Sequence, residues 1–253
     1  MTQFVSTMPF PLAHPAAVFP LRRFCPRYLS LPALIAGSLA PDVAYIFGDK
    51  GLSDISHELL GGMCFGLIVG MLMLWLFYGP GRKGVSRLPR KYQETLLPVF
   101  QQPAGTATVV VISLLLGTAT HLVLDSFTHT HGWLVNHFSV LQSPVFMFMG
   151  RQVKLCHLLW YVCSFVGVAW LVVALRDYQA NHKTDHQYPI PVRARVLEAL
   201  FVSALVLPIE LLHHVVRSRL GLAVVGALTL ALAVGVLCRV PGNRRSPDPR
   251  PVL

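Results

Sequence analysis

Long unbroken runs of apolar residues constrain this chain more than any other feature of its sequence. Five of them reach or approach the ~20 residues that a helix needs to cross the hydrocarbon core of a membrane. They cover residues 58–78, 106–127, 155–175, 196–216 and 220–238. Because 54% of the residues are apolar and only 13% are charged, the sequence predicts an integral membrane protein.

Two shorter apolar segments, 9–24 and 31–47, precede these runs and are interrupted by prolines and arginines. They form either a short hairpin of membrane-crossing helices or a re-entrant pair. The predicted fold is therefore an all-α integral membrane protein, a polytopic bundle of six to seven transmembrane helices, the first two short, in one domain over residues 8–240. Residues 79–104 are predicted to be a basic cytoplasmic loop, and the proline- and arginine-rich residues 241–253 a disordered tail.

The lysines and arginines indicate how the helices are oriented. If all seven segments cross and the C-terminus is cytoplasmic, 16 of the 21 lysines and arginines fall in cytoplasmic loops, as the positive-inside rule predicts. The exceptions are Lys50, Arg151, Lys154, Arg217 and Arg219. The net charge of +10 is then explained by the basic cytoplasmic loops of a protein in the cell (inner or plasma) membrane. Membrane lipid, and not nucleic acid, is the expected partner.

Histidines gather toward the predicted non-cytoplasmic face, where polar groups inside membrane helices usually indicate function. Of the 11 histidines, only His182 and His186 fall on the cytoplasmic side. His121 and Asp125 are four residues apart, so both project from one face of a helix and can bind one ion together. His129 continues this strip if the helix runs on.

Small residues share faces with these polar groups. Ser113 and Gly117 extend the strip of His121 backwards along its helix. The preceding helix has a similar strip, which consists of Glu58, Gly62, Gly66 and Gly70. Because small residues allow close helix packing, we expect the two helices to bring His57 or Glu58 near His121. The alternative is that the glycines only pack helices and the polar groups only cap their ends.

Asp42 adds a carboxylate from the second segment, directly after Pro41. Taken alone, it is equally well interpreted as a helix-end group that reaches water. Together, four segments supply three imidazoles and two carboxylates, from His14, Asp42, His57, His121 and Asp125. This mixture suits zinc first, with manganese or iron as alternatives, and does not match a calcium cage of oxygens.

Four motifs occur in order along the chain: "MPFPLAHPAAVFPLRR", "GSLAPDVAYIF", "SHELLGG" and "GTATHLVLDSFTHTHGW". Together they resemble a family of bacterial integral membrane proteins called domain of unknown function 4184. The order of an early histidine, Pro-Asp, Ser/Thr-His and His-x-x-x-Asp is also similar to membrane-bound metal-dependent hydrolases. These resemblances imply metal-binding roles for His14, Asp42, His57, His121 and Asp125. Val43 and Ala44 depart from the hydrolase pattern, which often continues there with an acidic residue and a histidine.

The leading functional hypothesis is a metal-dependent hydrolase whose site opens near the non-cytoplasmic membrane surface. The metal would lower the pKa of a bound water toward ~7, and Asp42, Asp125 or Glu58 would accept its proton. The substrate would be a lipid or a lipid-linked phosphate or ester, because the apolar residues 133–149 can rest at the headgroup level as a lid or platform. A plain surface loop is the alternative interpretation of that stretch.

Two other classes of function stay open. A transporter or ion-handling protein would use the cluster as a metal-selective or proton-relay site, although such proteins usually have midplane sites and internal repeats, and no repeat is visible here. A non-enzymatic scaffold would use the cluster as a structural metal clamp. Glu210, His213 and His214 share a helical face and either complete the site or form a cluster that faces water.

The orientation predicts which engineered cysteines a membrane-impermeant thiol reagent reaches in intact cells. In a background without the native cysteines, we expect His131→Cys to react from outside and Arg87→Cys only after permeabilisation, because the two lie on opposite sides of the membrane. Labelling is read by a mass shift on a gel. The reverse pattern would invert the topology.

Overall fold

The structure, a computed structural model, covers most of the chain up to residue 181. The described residues are 11–25, 27–47, 49–88, 90–101, 103–148, 151–181, 192–193, 195–197, 199–200 and 203. The α-helices are α1 (Val18–Phe24), α2 (Leu31–Leu39), α3 (Lys50–His57), α4 (Leu59–Leu76), α5 (Arg82–Val85), α6 (Arg90–Phe100), α7 (Ala107–Thr128), α8 (Trp133–His137) and α9 (Leu155–Asn181). 3₁₀-helices cover Pro11–Ala17, Pro41–Phe47 and Ser139–Gln142, and a π-helical turn covers Phe77–Gly81. Two strands, β1 (Pro144–Phe148) and β2 (Arg151–Lys154), form a hairpin.

Within the described residues, three helical stretches are long and apolar enough to cross a membrane. They are Leu59–Val85, Ala107–His137 and Leu155–Tyr178, which correspond to three of the five long apolar runs. The other two runs, 196–216 and 220–238, lie almost wholly outside the described residues. The two N-terminal helices are shorter than a span, since α1 has 7 residues and α2 has 9.

The outer faces of α4 and α9 carry large exposed apolar side chains. On α4, Ile68 is 70% exposed and Trp75 is 64% exposed. On α9, Val162, Val166 and Trp170 follow each other at four-residue spacing, and each is at least half exposed. A soluble domain rarely leaves such stripes in water, whereas lipid tails would cover them in a bilayer.

Helices α2 and α7 run parallel and contact each other at every fourth residue. The contacting pairs are Ser30 with Ser113, Leu34 with Gly117, and Ser38 with His121. At Gly117 the backbones are so close that an added Cβ would collide with the Leu34 carbonyl oxygen. Four residues further along each of these two segments, Asp42 lies at the level of Asp125. The register of this helix pair therefore places the two carboxylates together.

Helix α4 packs antiparallel on another side of α7. Its glycines face large α7 side chains, in the pairs Gly62 with Leu122, Gly66 with Thr118, and Gly70 with Leu114. The expected packing of the α4 glycine strip on the following long helix is confirmed. Gly117, however, lies against α2 and not against α4. The antiparallel direction places His57, just before α4, beside the C-terminal end of α7.

The ends of α7 follow from local sequence signals. Thr106 caps the N-terminus, where its hydroxyl accepts a hydrogen bond from the Val109 N–H. Gly105 precedes it with a φ of 97°, a conformation that favours glycine. The helix ends at Thr128, and Gly132 then lies against two carbonyl oxygens of the last turn, where a side chain would not fit. The chain therefore turns away from the helix axis at Gly132.

The N-terminal 3₁₀-helix is held between α9 and the rest of the bundle. Ala13 packs with Val168 and Val172 of α9. It also faces Gly167, where an added Cβ would lie 3.0 Å from the Ala13 Cβ. This contact leaves the neighbouring residue, His14, to project toward α7.

Two segments that were predicted as irregular contain regular structure. The predicted basic loop at 79–104 includes α5 and α6. The stretch 133–149 includes α8, a 3₁₀ turn and β1, so that Trp133 starts a helix and does not lie in a loop. The described residues are mostly helical, as the predicted fold class requires, with the addition of one short hairpin in which β1 pairs antiparallel with β2. The sequence "PVFMF" is rich in residues that favour strands.

The close contact at Gly117 makes a stability prediction. We expect Gly117→Ala to destabilise the protein by about 1–3 kcal/mol, because the methyl group must push α2 away from α7. Gly84→Ala is the matched control, since open space surrounds Gly84. Thermal unfolding in detergent compares the two. Equal melting temperatures for both variants would contradict the close approach.

Candidate metal centre

Five side chains predicted as ligands come together at one end of the bundle. They are His14 of the first 3₁₀-helix, Asp42 of the second, His57 of α3, and His121 and Asp125 of α7. Two overlapping groups of three, His14–His121–Asp125 and Asp42–His57–His121, have nitrogen or oxygen atoms within 4.8 Å of one another. His57 is partly buried and the other four are buried, so the cluster lies largely beneath the surface.

Hydrogen bonds to backbone carbonyls orient two of the imidazoles. The Nδ1 atom of His121 is 2.7 Å from the Ser38 carbonyl oxygen, and that of His57 is 2.9 Å from the Ser53 carbonyl oxygen. For these hydrogen bonds to form, each Nδ1 must carry the proton, because a carbonyl oxygen only accepts. The Ser56 hydroxyl, which is 2.9 Å from His57 Nδ1, donates to the Ser53 carbonyl oxygen and can accept from this N–H. In the neutral ring each Nε2 then has a free lone pair, which is how metal-binding histidines are commonly prepared.

The two free nitrogens face each other. The Nε2 atoms of His57 and His121 are 3.4 Å apart. Two neutral imidazoles in these tautomers have no proton to share between these atoms, so their lone pairs repel. A cation between them would turn the repulsion into attraction.

Two carboxylate oxygens complete a four-atom arrangement around the same point. His57 Nε2 is 3.8 Å from Asp42 Oδ1 and 3.5 Å from Asp125 Oδ2. His121 Nε2 is 3.7 Å and 3.2 Å from the same two oxygens. Four ligands placed tetrahedrally about 2.0–2.2 Å from zinc would lie about 3.3–3.6 Å from one another. The observed separations are close to that spacing.

The carboxylates have no hydrogen-bond donors of their own. All four oxygens of Asp42 and Asp125 are buried and make no hydrogen bond within the part of the chain that the structure describes. Burying an ionised carboxylate without a partner is strongly unfavourable. A divalent cation balances two carboxylates and two neutral imidazoles without residual charge, so the residues fit a transition metal ion.

Two further histidines face the other oxygens of the carboxylates. His14 Nε2 is 3.9 Å from Asp42 Oδ2 and 3.7 Å from Asp125 Oδ1, and its ring stacks on that of His121 with centroids 4.0 Å apart. His129 Nε2 is 3.4 Å from Asp125 Oδ1. Although α7 ends one residue before His129, the four-residue spacing from Asp125 still brings the two together. From the sequence, His129 was expected to join the strip of His121 and Asp125 only if the helix ran on.

The remaining sequence candidates lie elsewhere. Glu58 is exposed at the break between α3 and α4, and the structure does not bring it into the cluster. The extended backbone at Glu58 explains this, because it interrupts the helix that would have carried it alongside His57. Glu210, His213 and His214 lie outside the described residues.

An apolar cavity of about 340 Å³ adjoins the cluster. Its walls come from the N-terminal helices, α7 and α9, and include His14, Leu124, Thr128, Val166 and Trp170. Val166 and Trp170 belong to the exposed stripe of α9. The cavity therefore connects the lipid-facing surface of α9 with the imidazole of His14.

The sequence matches one known protein family. A family model described as "Domain of unknown function (DUF4184)" matches residues 8–240, a range that includes every residue of the cluster. None of the curated proteins and none of the solved structures matches the chain. The chemistry of the site therefore has to be argued from its geometry.

The geometry predicts that the detergent-purified protein contains a near-stoichiometric transition metal. The double variant His121→Ala/Asp125→Ala should lose it, because a nitrogen and an oxygen of the four-atom arrangement disappear together. Metal is measured by mass spectrometry after dialysis. The matched control is His131→Ala/Asp54→Ala, which removes an exposed histidine and an exposed aspartate and should keep the metal. Undiminished metal in the first double variant would refute a metal site at this cluster.

Proposed function

This chain belongs to the DUF4184 family, and from the geometry of its buried His/Asp cluster we propose that it is a membrane-embedded metal-dependent hydrolase. The metal ion is held by His57, His121, Asp42 and Asp125, and zinc is the metal that these ligands suit best. The substrate is a lipid or a lipid-linked phosphate or ester. The site lies toward the non-cytoplasmic end of a bundle of six to seven spans in the cell membrane.

One observation carries the proposal. The Nε2 atoms of His57 and His121 face each other at 3.4 Å, between two carboxylates that make no hydrogen bond among the described residues. The histidines cannot satisfy those carboxylates as neutral donors, because their protons are committed to backbone carbonyls. An external cation of charge +2 resolves the repulsion between the nitrogens and the cost of the buried charges together.

Hydrolysis needs an activated water and an acceptor for its proton. A bound zinc ion that took a water as a fifth ligand, beside the four protein atoms, would supply the first by lowering the pKa of that water toward ~7. Asp42 Oδ2 and Asp125 Oδ1 face away from His57 and His121, and either oxygen is placed to take the proton. The water oxygen then bonds to the acyl carbon or phosphorus, the ester bond breaks, and the proton passes to the departing alcohol oxygen.

Glu58 is the third candidate for the proton acceptor. Its exposure favours the two aspartates, which are already in the cluster. A conformational change at the break between α3 and α4 would be required before Glu58 reached the reacting water.

The apolar cavity supports a lipid-borne substrate. It is of the size that binds small ligands, its lining is almost entirely apolar, and it reaches His14. An acyl chain entering from the bilayer along Val166 and Trp170 would bring an attached ester or phosphate toward the metal. The segment from Trp133 to Phe148, with its short helices and strand, is the element that would close over the headgroup.

The decisive experiment compares metal content with turnover. We expect the zinc-loaded protein to release product from a panel of lipid esters and lipid phosphates, and the metal-depleted protein to release none. A protein that binds metal stoichiometrically and hydrolyses nothing in the panel would leave the structural clamp as the function. A protein that binds no metal, but whose cluster titrates as protonated histidines, would favour the proton relay of an ion-handling protein.

Blocking the cavity should separate lipid substrates from soluble ones. We expect Val166→Trp to lower kcat/KM for a long-chain lipid substrate about tenfold, because the indole occupies the path of the acyl chain. Hydrolysis of a short-chain, water-soluble analogue should not change. Ile68→Trp, on the exposed face of α4, is the matched control and should leave both rates unchanged. Equal loss on both substrates in Val166→Trp would exclude an acyl chain from the cavity.

A further inference from the structure

The two carboxylates of the cluster divide their oxygens between two pairs of histidines. Asp42 Oδ1 and Asp125 Oδ2 face His57 and His121 at 3.2–3.8 Å. The opposite oxygens, Asp42 Oδ2 and Asp125 Oδ1, lie 3.9 and 3.7 Å from His14 Nε2. Asp125 Oδ1 is also 3.4 Å from His129 Nε2. Asp125 therefore presents one oxygen to each pair, whereas Asp42 presents one oxygen to His57 and His121 and the other to His14.

The second pair has no role in the metal site described above. Both ring nitrogens of His14 are buried and form no hydrogen bond within the described residues, and the same is true of His129 Nε2. His14 is only 3% exposed. Buried polar atoms without partners are uncommon in folded proteins, and these atoms point at carboxylate oxygens that also lack donors.

The number of available metal ligands also indicates more than one ion. One tetrahedral zinc ion takes four protein ligands, or three and a water. Here four histidines and two bidentate carboxylates surround the site, which is more than one such ion can use. Two ions bridged by both carboxylates would use all of them, with two nitrogens and two oxygens at each ion.

We propose that the centre is dinuclear, with Asp42 and Asp125 bridging two divalent transition metal ions. His57 and His121 hold the first ion, and His14 and His129 hold the second. The stacking of the His14 ring on the His121 ring fits two imidazoles that approach neighbouring ions from the same side. The inference rests on the proposed function for the first ion and adds the second.

A second ion changes which groups bind metal and which groups are free to accept a proton in the proposed reaction. The aspartate oxygens that face His14 would bind metal and would no longer be free to accept a proton. Two ions a few ångströms apart can instead stabilise both the attacking and the leaving oxygen of a displacement. His14 also lines the apolar cavity, so the second ion would be the one nearer to a substrate that enters from the bilayer.

Metal stoichiometry tests the second ion. The full chain is purified in detergent, loaded with zinc and dialysed, and zinc is counted per chain. We expect two equivalents in the wild type, one in His129→Ala, and two in His131→Ala, an exposed histidine two residues away. One equivalent in the wild type that His129→Ala leaves unchanged would overturn the dinuclear centre and preserve the first site. No bound zinc in the wild type would instead overturn the proposed function itself.

A measurement on the wild type does not depend on how the variants fold. X-ray absorption of the zinc-loaded protein should show zinc–zinc scattering at about 3.5–4 Å, the usual separation in two-metal sites. Zinc bound with nitrogen and oxygen neighbours alone, at full loading, would contradict the proposal.

Discussion

The contact between α2 and α7 determines where the groups of the candidate site lie. Two parallel helices that touch at every fourth residue keep the same partners in step along their length. The backbone approach at Gly117 is therefore followed by the hydrogen bond between Ser38 and His121, and then by the juxtaposition of Asp42 and Asp125. A side chain at position 117 would separate the helices and take the Ser38 carbonyl away from His121. The imidazole is thus prepared for a metal by a glycine one turn earlier.

The electrostatics of the cluster explain why such an arrangement needs an external cation. Two carboxylates that are removed from water lose several kcal/mol of solvation each, and they also repel each other. The backbone N–H groups of α7 are used within the helix, and the protons of His57 and His121 are used by carbonyls. While they are neutral, His57 and His121 thus have no N–H left to donate to the carboxylates. Binding of a dication would contribute directly to the stability of the fold, because the unfolded chain lacks this preformed site.

Much of the site could be predicted from the sequence, because helical spacing is a local property. The four-residue step from His121 to Asp125 places both on one face whatever surrounds them. The partner of a glycine is not local: small residues indicate that a helix approaches closely but do not say which helix. Gly117 accordingly meets α2, whereas the α4 glycines meet other residues of α7. The choice between His57 and Glu58 was not local either, since the extended backbone at Glu58 leaves His57 in the cluster and Glu58 exposed.

His129 shows how a site can extend beyond the element that defines it. Its backbone has left the helix, yet its position one turn after Asp125 keeps its Nε2 near the carboxylate. On the other side, Ala13 fixes the N-terminal segment against α9, and the adjacent His14 turns toward the same carboxylate. His14 also lines the apolar cavity, together with Leu124, Thr128 and residues of α9, so its imidazole lies between the buried carboxylates and that cavity. A ligand in that cavity and an ion at the cluster would then contact the same side chain, so the binding of one would affect the other.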